Sequence, residues 1–365
     1  MRTCRRTVVG AAAVALLAAP AGVAGAQEDH GGIETVATGL SGPRQVSAYE
    51  DDRLLVAESD SGEVASVDPA TGEVTTLVSG LQFVQGVDHR GGQLYVAVGT
   101  AEPEPGAAPP PEPPAVGQGG PGLVVTDAEG IVVETIDLLA YELANNPDGQ
   151  TQFVDGAPVD ALSNPFAVLA QRGRVLVADA GANAVLSVDR ESGEVSTFFV
   201  PPVVDDVPGC EGAPNNPGTT GCDSVPTGVA EGPEGRLYVS TLGAEVAGAA
   251  RVYVLDRRGE VVDVIEDLTS ATGVAVDDDG TVYVSDLLEG APVGEGPPAP
   301  DFDPATVGEV VRIDGEDRST AQVTMPTGLV VSDGELYGAA WSIAAFLMLD
   351  HPGEVVRIGS DAFAE

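Results

Sequence analysis

RLLVAES (53–59), QLYVAVG (93–99), RVLVADA (174–180), RLYVSTL (236–242), TVYVSDL (281–287) and ELYGAAW (335–341) are six versions of one strand, each preceded by a tight polar turn. Self-similarity with a unit of roughly 40 residues points to a propeller or a solenoid. Ahead of each copy lies a second short strand: PRQVSAY (43–49), VQGVDHR (84–90), PFAVLAQ (165–171), PTGVAEG (226–232), ATGVAVD (271–277) and PTGLVVS (326–332). These read as the innermost strands of six blades. A third strand follows each copy, as in GEVASVD (62–68), GLVVTD (122–127), NAVLSVD (183–189), ARVYVLD (250–256), GEVVRID (308–314) and GEVVRIG (353–359). Only five fourth strands follow their own third strands: GEVTTLV (72–78), GIVVETI (130–136), GEVSTFF (193–199), GEVVDVI (259–265) and STAQVTM (319–325).

The missing piece stands at the other end of the chain. IETVATGL (33–40) resembles EVTTLVSGL (73–81), so residues 33–38 are expected to pair with 354–358 as the outer strand of the last blade. The predicted fold class is all-β: a six-bladed β-propeller with four-stranded blades, its ring closed by the N-terminal strand and its sheet edges thereby removed. One domain spans 27–365. Alternating β-branched residues and Gly, Asn and Asp turns agree with this, and helical periodicity is confined to 138–144 and 343–349.

Residues 1–26 have the form of an export signal: Arg2, Arg5 and Arg6, an apolar run over 8–19, and Ala24-Gly25-Ala26 before a cleavage point after Ala26. The expected product is secreted, without a transmembrane segment and monomeric; Arg5-Arg6 leaves general secretion and the twin-arginine route both open. In an oxidising compartment Cys210 and Cys222 are expected to form a disulfide, worth about 3 kcal/mol by loop-closure entropy. A two-cysteine metal site is the rival reading, and it has no nearby histidine. The chain carries 57 acidic and 16 basic residues for a formal charge of -41, and all of the basic residues are arginine. Such a charge argues against nucleic acid and anionic membrane surfaces as partners.

The connections fall into two sets. Turns between first and second strands, and between third and fourth, are minimal, whereas the insertions 99–121, 137–162, 201–224, 242–249, 287–307 and 341–352 all open on one face of the ring. Scaffolds carry function on such loops, so this loop-rich face is the expected binding face for a small molecule, glycan or protein. EPEPGAAPPPEPP inside 99–121 reads as a Pro-rich flap. Residues at the start of each inner strand are candidates to line the channel mouth: Arg44, Gln85, Asn164, Thr227, Thr272 and Thr327. A wider circle of Glu58, Asp179 and Asp286, with Asn164, offers the oxygen ligands that calcium takes. The competing structural role is acceptance of loop N–H bonds. Asp277-Asp278-Asp279-Gly280 reads as turn chemistry, His89 falls at a turn on the plain face, and neither His30 nor His351 has a partner that would make a triad or zinc site. Trp341 and Phe346 are expected to fill core beneath the last blade rather than to line a ligand cavity.

LSNPFAVLAQRGRVLVADAGANAVLSVD (162–189), VPTGVAEGPEGRLYVS (225–240) and GAARVYVLD (248–256) resemble the ScyD/ScyE family of secreted propellers, which is itself similar to NHL-repeat proteins. The resemblance implies a secreted propeller and no particular reaction or catalytic residue. The expected function is therefore a binding or interaction protein, leaning away from an enzyme. The alternative is a calcium-dependent hydrolase similar to the six-bladed lactonases. A quinone oxidoreductase lacks the basic residues and histidines that an anionic quinone requires.

Overall fold

The computed structural model describes residues 31–100, 114–159, 161–292, 299 and 301–364. The expected export signal (1–26), most of the Pro-rich insertion and part of 287–307 lie outside them. Six four-stranded antiparallel sheets form the blades of the propeller. In blade order the inner strands are Pro43–Ala48, Val84–Arg90, Pro165–Ala170, Pro226–Glu231, Ala271–Val276 and Leu329–Ser332. The second strands are Leu54–Glu58, Gln93–Val98, Arg174–Asp179, Leu237–Thr241, Val282–Asp286 and Glu335–Ala340. In the sixth blade Gly353–Ile358 is the third strand and Ile33–Leu40 the fourth, paired from Ile33 opposite Ile358 to Leu40 opposite Gly353.

The expected closed ring needs correction. No sheet closes or curls on itself, and the N-terminal strand completes one open blade. Each blade keeps an inner edge on the channel and an outer edge at the rim, so the edges are not removed. Neighbouring blades instead meet face to face through apolar side chains. Leu55, Val64, Val87 and Val96 pack between blades 1 and 2, Leu176, Val185, Val239 and Leu255 between blades 3 and 4, and Val46, Val56, Ala339 and Val355 between the last blade and the first. Burying each such Val or Leu contributes about 1.5–3 kcal/mol, and strand alternation sends successive side chains to opposite neighbours.

The inner edges approach one another closely. A Cβ at Gly273 would sit 2.0 Å from Thr327 O, and one at Gly328 would sit 2.4 Å from Arg44 O. Only glycine permits that spacing. Helix Leu138–Asn145 lies on the loop-rich face, capped by Asp137, whose carboxylate accepts from Ala140 N at 2.8 Å. Residues 343–349 form turns instead of a helix, since Trp341 and Met348 take φ of 54° and 58°. Ala344 and Leu347 tuck inward there while Phe346 stays exposed. Cys210 and Cys222 are disulfide-bonded. Among the described residues no helix is long and apolar enough to cross a membrane.

Candidate functional site

Five of the six inner strands open with a register shift after their first residue. Such a bulge re-aims the side chain it carries. Here it turns Thr227 and Thr272 onto the next blade: their hydroxyls donate to Ala271 O at 2.7 Å and Pro326 O at 3.1 Å. Thr327 reaches the first blade, 3.0 Å from Arg44 O, and bonds Ser342 Oγ at 2.8 Å. All three are buried. Their hydroxyls stitch blades together. Arg44 is buried as well, donates to Ser342 O, and has its pKa lowered by desolvation. Gln85 Nε2 donates to Ser59 Oγ at 3.2 Å, and Asn164 Oδ1 accepts from Thr100 N at 3.2 Å. In blade 3 the residue equivalent to the threonines is Phe166, not Asn164.

The wider circle is likewise engaged. Glu58 accepts from Ser41 N at 2.7 Å, and burial raises its pKa. Asp179 accepts from Ser163 Oγ at 2.7 Å and from the backbone N–H groups of Asn164 and Ala182 at 2.6 and 3.2 Å; burial nonetheless pushes its pKa up to about 6. Asp286 accepts from Thr269 N at 2.9 Å and reaches a pKa of about 8, through burial first and then the nearby Glu309 and Glu289. Glu58, Asp179 and Asp286 end the second strands of alternate blades, so one blade stands between each pair. Of the proposed calcium set only Asn164 and Asp179 touch. Among the described residues no three His, Cys, Asp or Glu side chains are grouped to hold a metal. The set does not fit calcium as a unit.

The space that the fold does provide is the central channel itself, a cavity of 350 Å³ lined by the six inner strands. Gln45 leans across two inner edges: its Oε1 accepts from Val87 N at 3.1 Å and Val168 N at 2.9 Å, and its Nε2 donates to Val168 O at 2.8 Å. Beyond it the wall runs to the plain-face strand ends and includes Asp88, His89, Arg90 and Glu231. Asp88 accepts from His89 N and Ala170 N, both at 2.7 Å, and desolvation pushes its carboxyl up to about 6. The His89 ring meets Tyr49 edge-on, with centroids 5.0 Å apart. Sequence reading placed His89 at a plain-face turn and passed over Asp88. The available signal was DHR (88–90), the one inner strand that ends in three consecutive ionisable residues. On the opposite face His351 stacks on Trp341 at 3.9 Å, and Phe346 is 61% exposed, so only the tryptophan fills core. Asp277 Oδ1 accepts from Asp279 N and Thr281 N, the bonds of a turn.

No described protein family and no curated protein matches the chain. Solved structures do. A luciferin-regenerating enzyme is 10% identical with a TM-score of 0.54, over 91% of this chain and 96% of its own. A protein of unknown function from Bacteroides thetaiotaomicron is 12% identical with a TM-score of 0.51, over 90% of this chain and 75% of its own. Virginiamycin B lyase from Staphylococcus aureus is 10% identical with a TM-score of 0.48, over 91% of this chain and 87% of its own. At these identities the likeness establishes the six-bladed propeller fold and nothing finer. The lean away from an enzyme is corrected: the luciferin-regenerating enzyme has this fold, so the fold gives no ground for such a lean. That lean rested on a resemblance that implies no particular reaction, and on a propeller the reacting groups come from different blades, where no local motif would show them.

Proposed function

We propose that the chain is an exported propeller hydrolase that opens a small lactone or ester in its central channel, with Asp88 as general base. The observation that carries this reading is the position of Asp88: a carboxyl with a pKa of about 6, fixed by two backbone N–H bonds, in the wall of a 350 Å³ cavity. A base poised near the working pH suits proton transfer. Asp88 takes a proton from water, the water oxygen bonds to the substrate carbonyl carbon, the C–O ester bond breaks, and the leaving oxygen takes the proton back. Arg90, beside Asp88 in the same wall, offers positive charge to the carbonyl oxygen. A formal charge of -41 favours an uncharged substrate and release of the carboxylate product. The step uses no metal. The resemblance of the SNPF and ADAGAN blade to the ScyD/ScyE family supports an extracellular setting and leaves the substrate open.

The test is turnover of a panel of lactones and aryl esters by the wild-type chain and by Asp88→Asn. Removal of a general base lowers kcat by about 10²–10⁴-fold, and wild-type kcat/KM is expected to rise with pH through about 6 and then level. Absence of turnover across the panel, or an Asp88→Asn variant as active as wild type, overturns the proposal.

A further inference from the structure

Over blades 3 and 4 the loop-rich face holds a polar cluster separate from the channel. Its first half is NPDGQ (146–150). The chain leaves the helix through Asn146 at φ 47° and turns again through Gly149 at φ 71°. Within this turn Asn146 Nδ2 donates to Gln150 O, and Gln150 N donates to Asp148 Oδ1, both at 2.9 Å.

The second half comes from the disulfide-braced loop. Gln150 Nε2 and Asn215 Nδ2 donate to Asp223 Oδ1 at 2.6 and 2.9 Å. Asn216 and Thr151 exchange two bonds, of 3.0 and 3.1 Å. Asn183 lies beside Asp148 and lowers its pKa against the stronger effect of burial, while its own Oδ1 accepts from Val225 N at 2.9 Å.

These bonds use the amide donors and leave oxygen behind. Asn146 Oδ1 and Gln150 Oε1 are both buried atoms, and neither has a hydrogen-bond partner among the described residues. The Asp148 and Asp223 carboxylates lie close enough to repel, and neither joins an ion pair with any described basic side chain. Buried acceptors without donors cost about 1–3 kcal/mol each, and a cation between them and the two carboxylates would satisfy both the acceptors and the like charges. Oxygen-bearing side chains at 146, 148 and 150 alternate along a tight glycine-containing turn, the spacing by which calcium loops aim successive ligands at one centre.

We propose that Asn146 Oδ1, Asp148, Gln150 Oε1 and Asp223 bind a hard divalent cation of the calcium class, which clamps the disulfide-braced loop to the turn after the helix. Water completes the coordination, since calcium takes about six to eight oxygens and magnesium demands a stricter octahedron. The clamp is independent of Asp88 and of the channel reaction.

The experiment titrates calcium chloride, and separately magnesium chloride, into the chelator-treated full-length mature chain by calorimetry and follows thermal melting. Wild type is expected to bind one calcium, with a higher melting temperature and at least tenfold preference over magnesium. Asp148→Asn and Asp223→Asn each keep a hydrogen-bond acceptor. Each is expected to weaken calcium at least tenfold while melting at or above the calcium-free wild type, because a repulsion is gone. Asp286→Asn, at the channel mouth, leaves the affinity unchanged. No calcium binding by wild type, undiminished binding by the Asp148→Asn, Asp223→Asn double variant, or loss of binding in Asp286→Asn overturns the site.

Discussion

Replacing Asp286 by asparagine should stabilise this protein, and increasingly so as the pH rises. Asp286 is 3% exposed, its Oδ1 has no hydrogen-bond partner among the described residues, and its cross-strand neighbour is Glu309. Desolvation and that neighbour lift its pKa from 3.8 to about 8. Between those two values the unfolded chain has released the proton and the folded chain still holds it. The native state therefore binds more protons, and stability is lost as pH climbs through this window. At about 1.4 kcal/mol per pH unit, the deficit at pH 8 is on the order of 5 kcal/mol. Asparagine is neutral throughout and still accepts from Thr269 N, a bond of 2.9 Å in the wild type. Urea denaturation of both proteins from pH 4 to pH 8 measures the difference, and every titration they share cancels. Near-equality at pH 4 and a gap of several kcal/mol at pH 8 is expected. A gap that does not change with pH refutes the burial argument, and so does a variant less stable than wild type at pH 8.

Two further variants probe the stitching of the blades, beside the channel and cation tests above. Gly273→Ala places a methyl 2.0 Å from Thr327 O, where the facing atom is backbone; a loss of about 3 kcal/mol or more is expected from overpacking, read as a lowered denaturation midpoint. Thr327→Val keeps the shape of the side chain but removes the hydroxyl shared by Pro43 O, Arg44 O and Ser342 Oγ. A loss of about 1–3 kcal/mol is expected for the acceptors left unpaired, and a midpoint equal to wild type would show that these bonds contribute nothing net.

Much of the architecture is written locally. Strands repeat with turn residues between them, so the six blades, their inner strands and the match of IETVATGL (33–40) to the outer strand of the last blade are readable from short windows. The cysteine pair is readable for the same reason: two residues 12 apart within one loop. What a strand copy does not encode is the direction of its first side chain. A bulge at the start of an inner strand turns the Thr227 and Thr272 hydroxyls onto the neighbouring blade, so residues that read as a ring around a mouth also bond one blade to the next. Asp88 accepts a bond from Ala170 N, 82 residues away, which lowers its pKa, while burial among the assembled blades outweighs that bond and raises it to about 6. The cation cluster joins Gln150 to Asp223 across 73 residues. The sequence by itself determined the number and order of the strands, because each strand's pattern is set by its own residues. Only the tertiary structure decided which polar groups share a cavity, because desolvation and hydrogen bonding depend on neighbours brought in from distant parts of the chain.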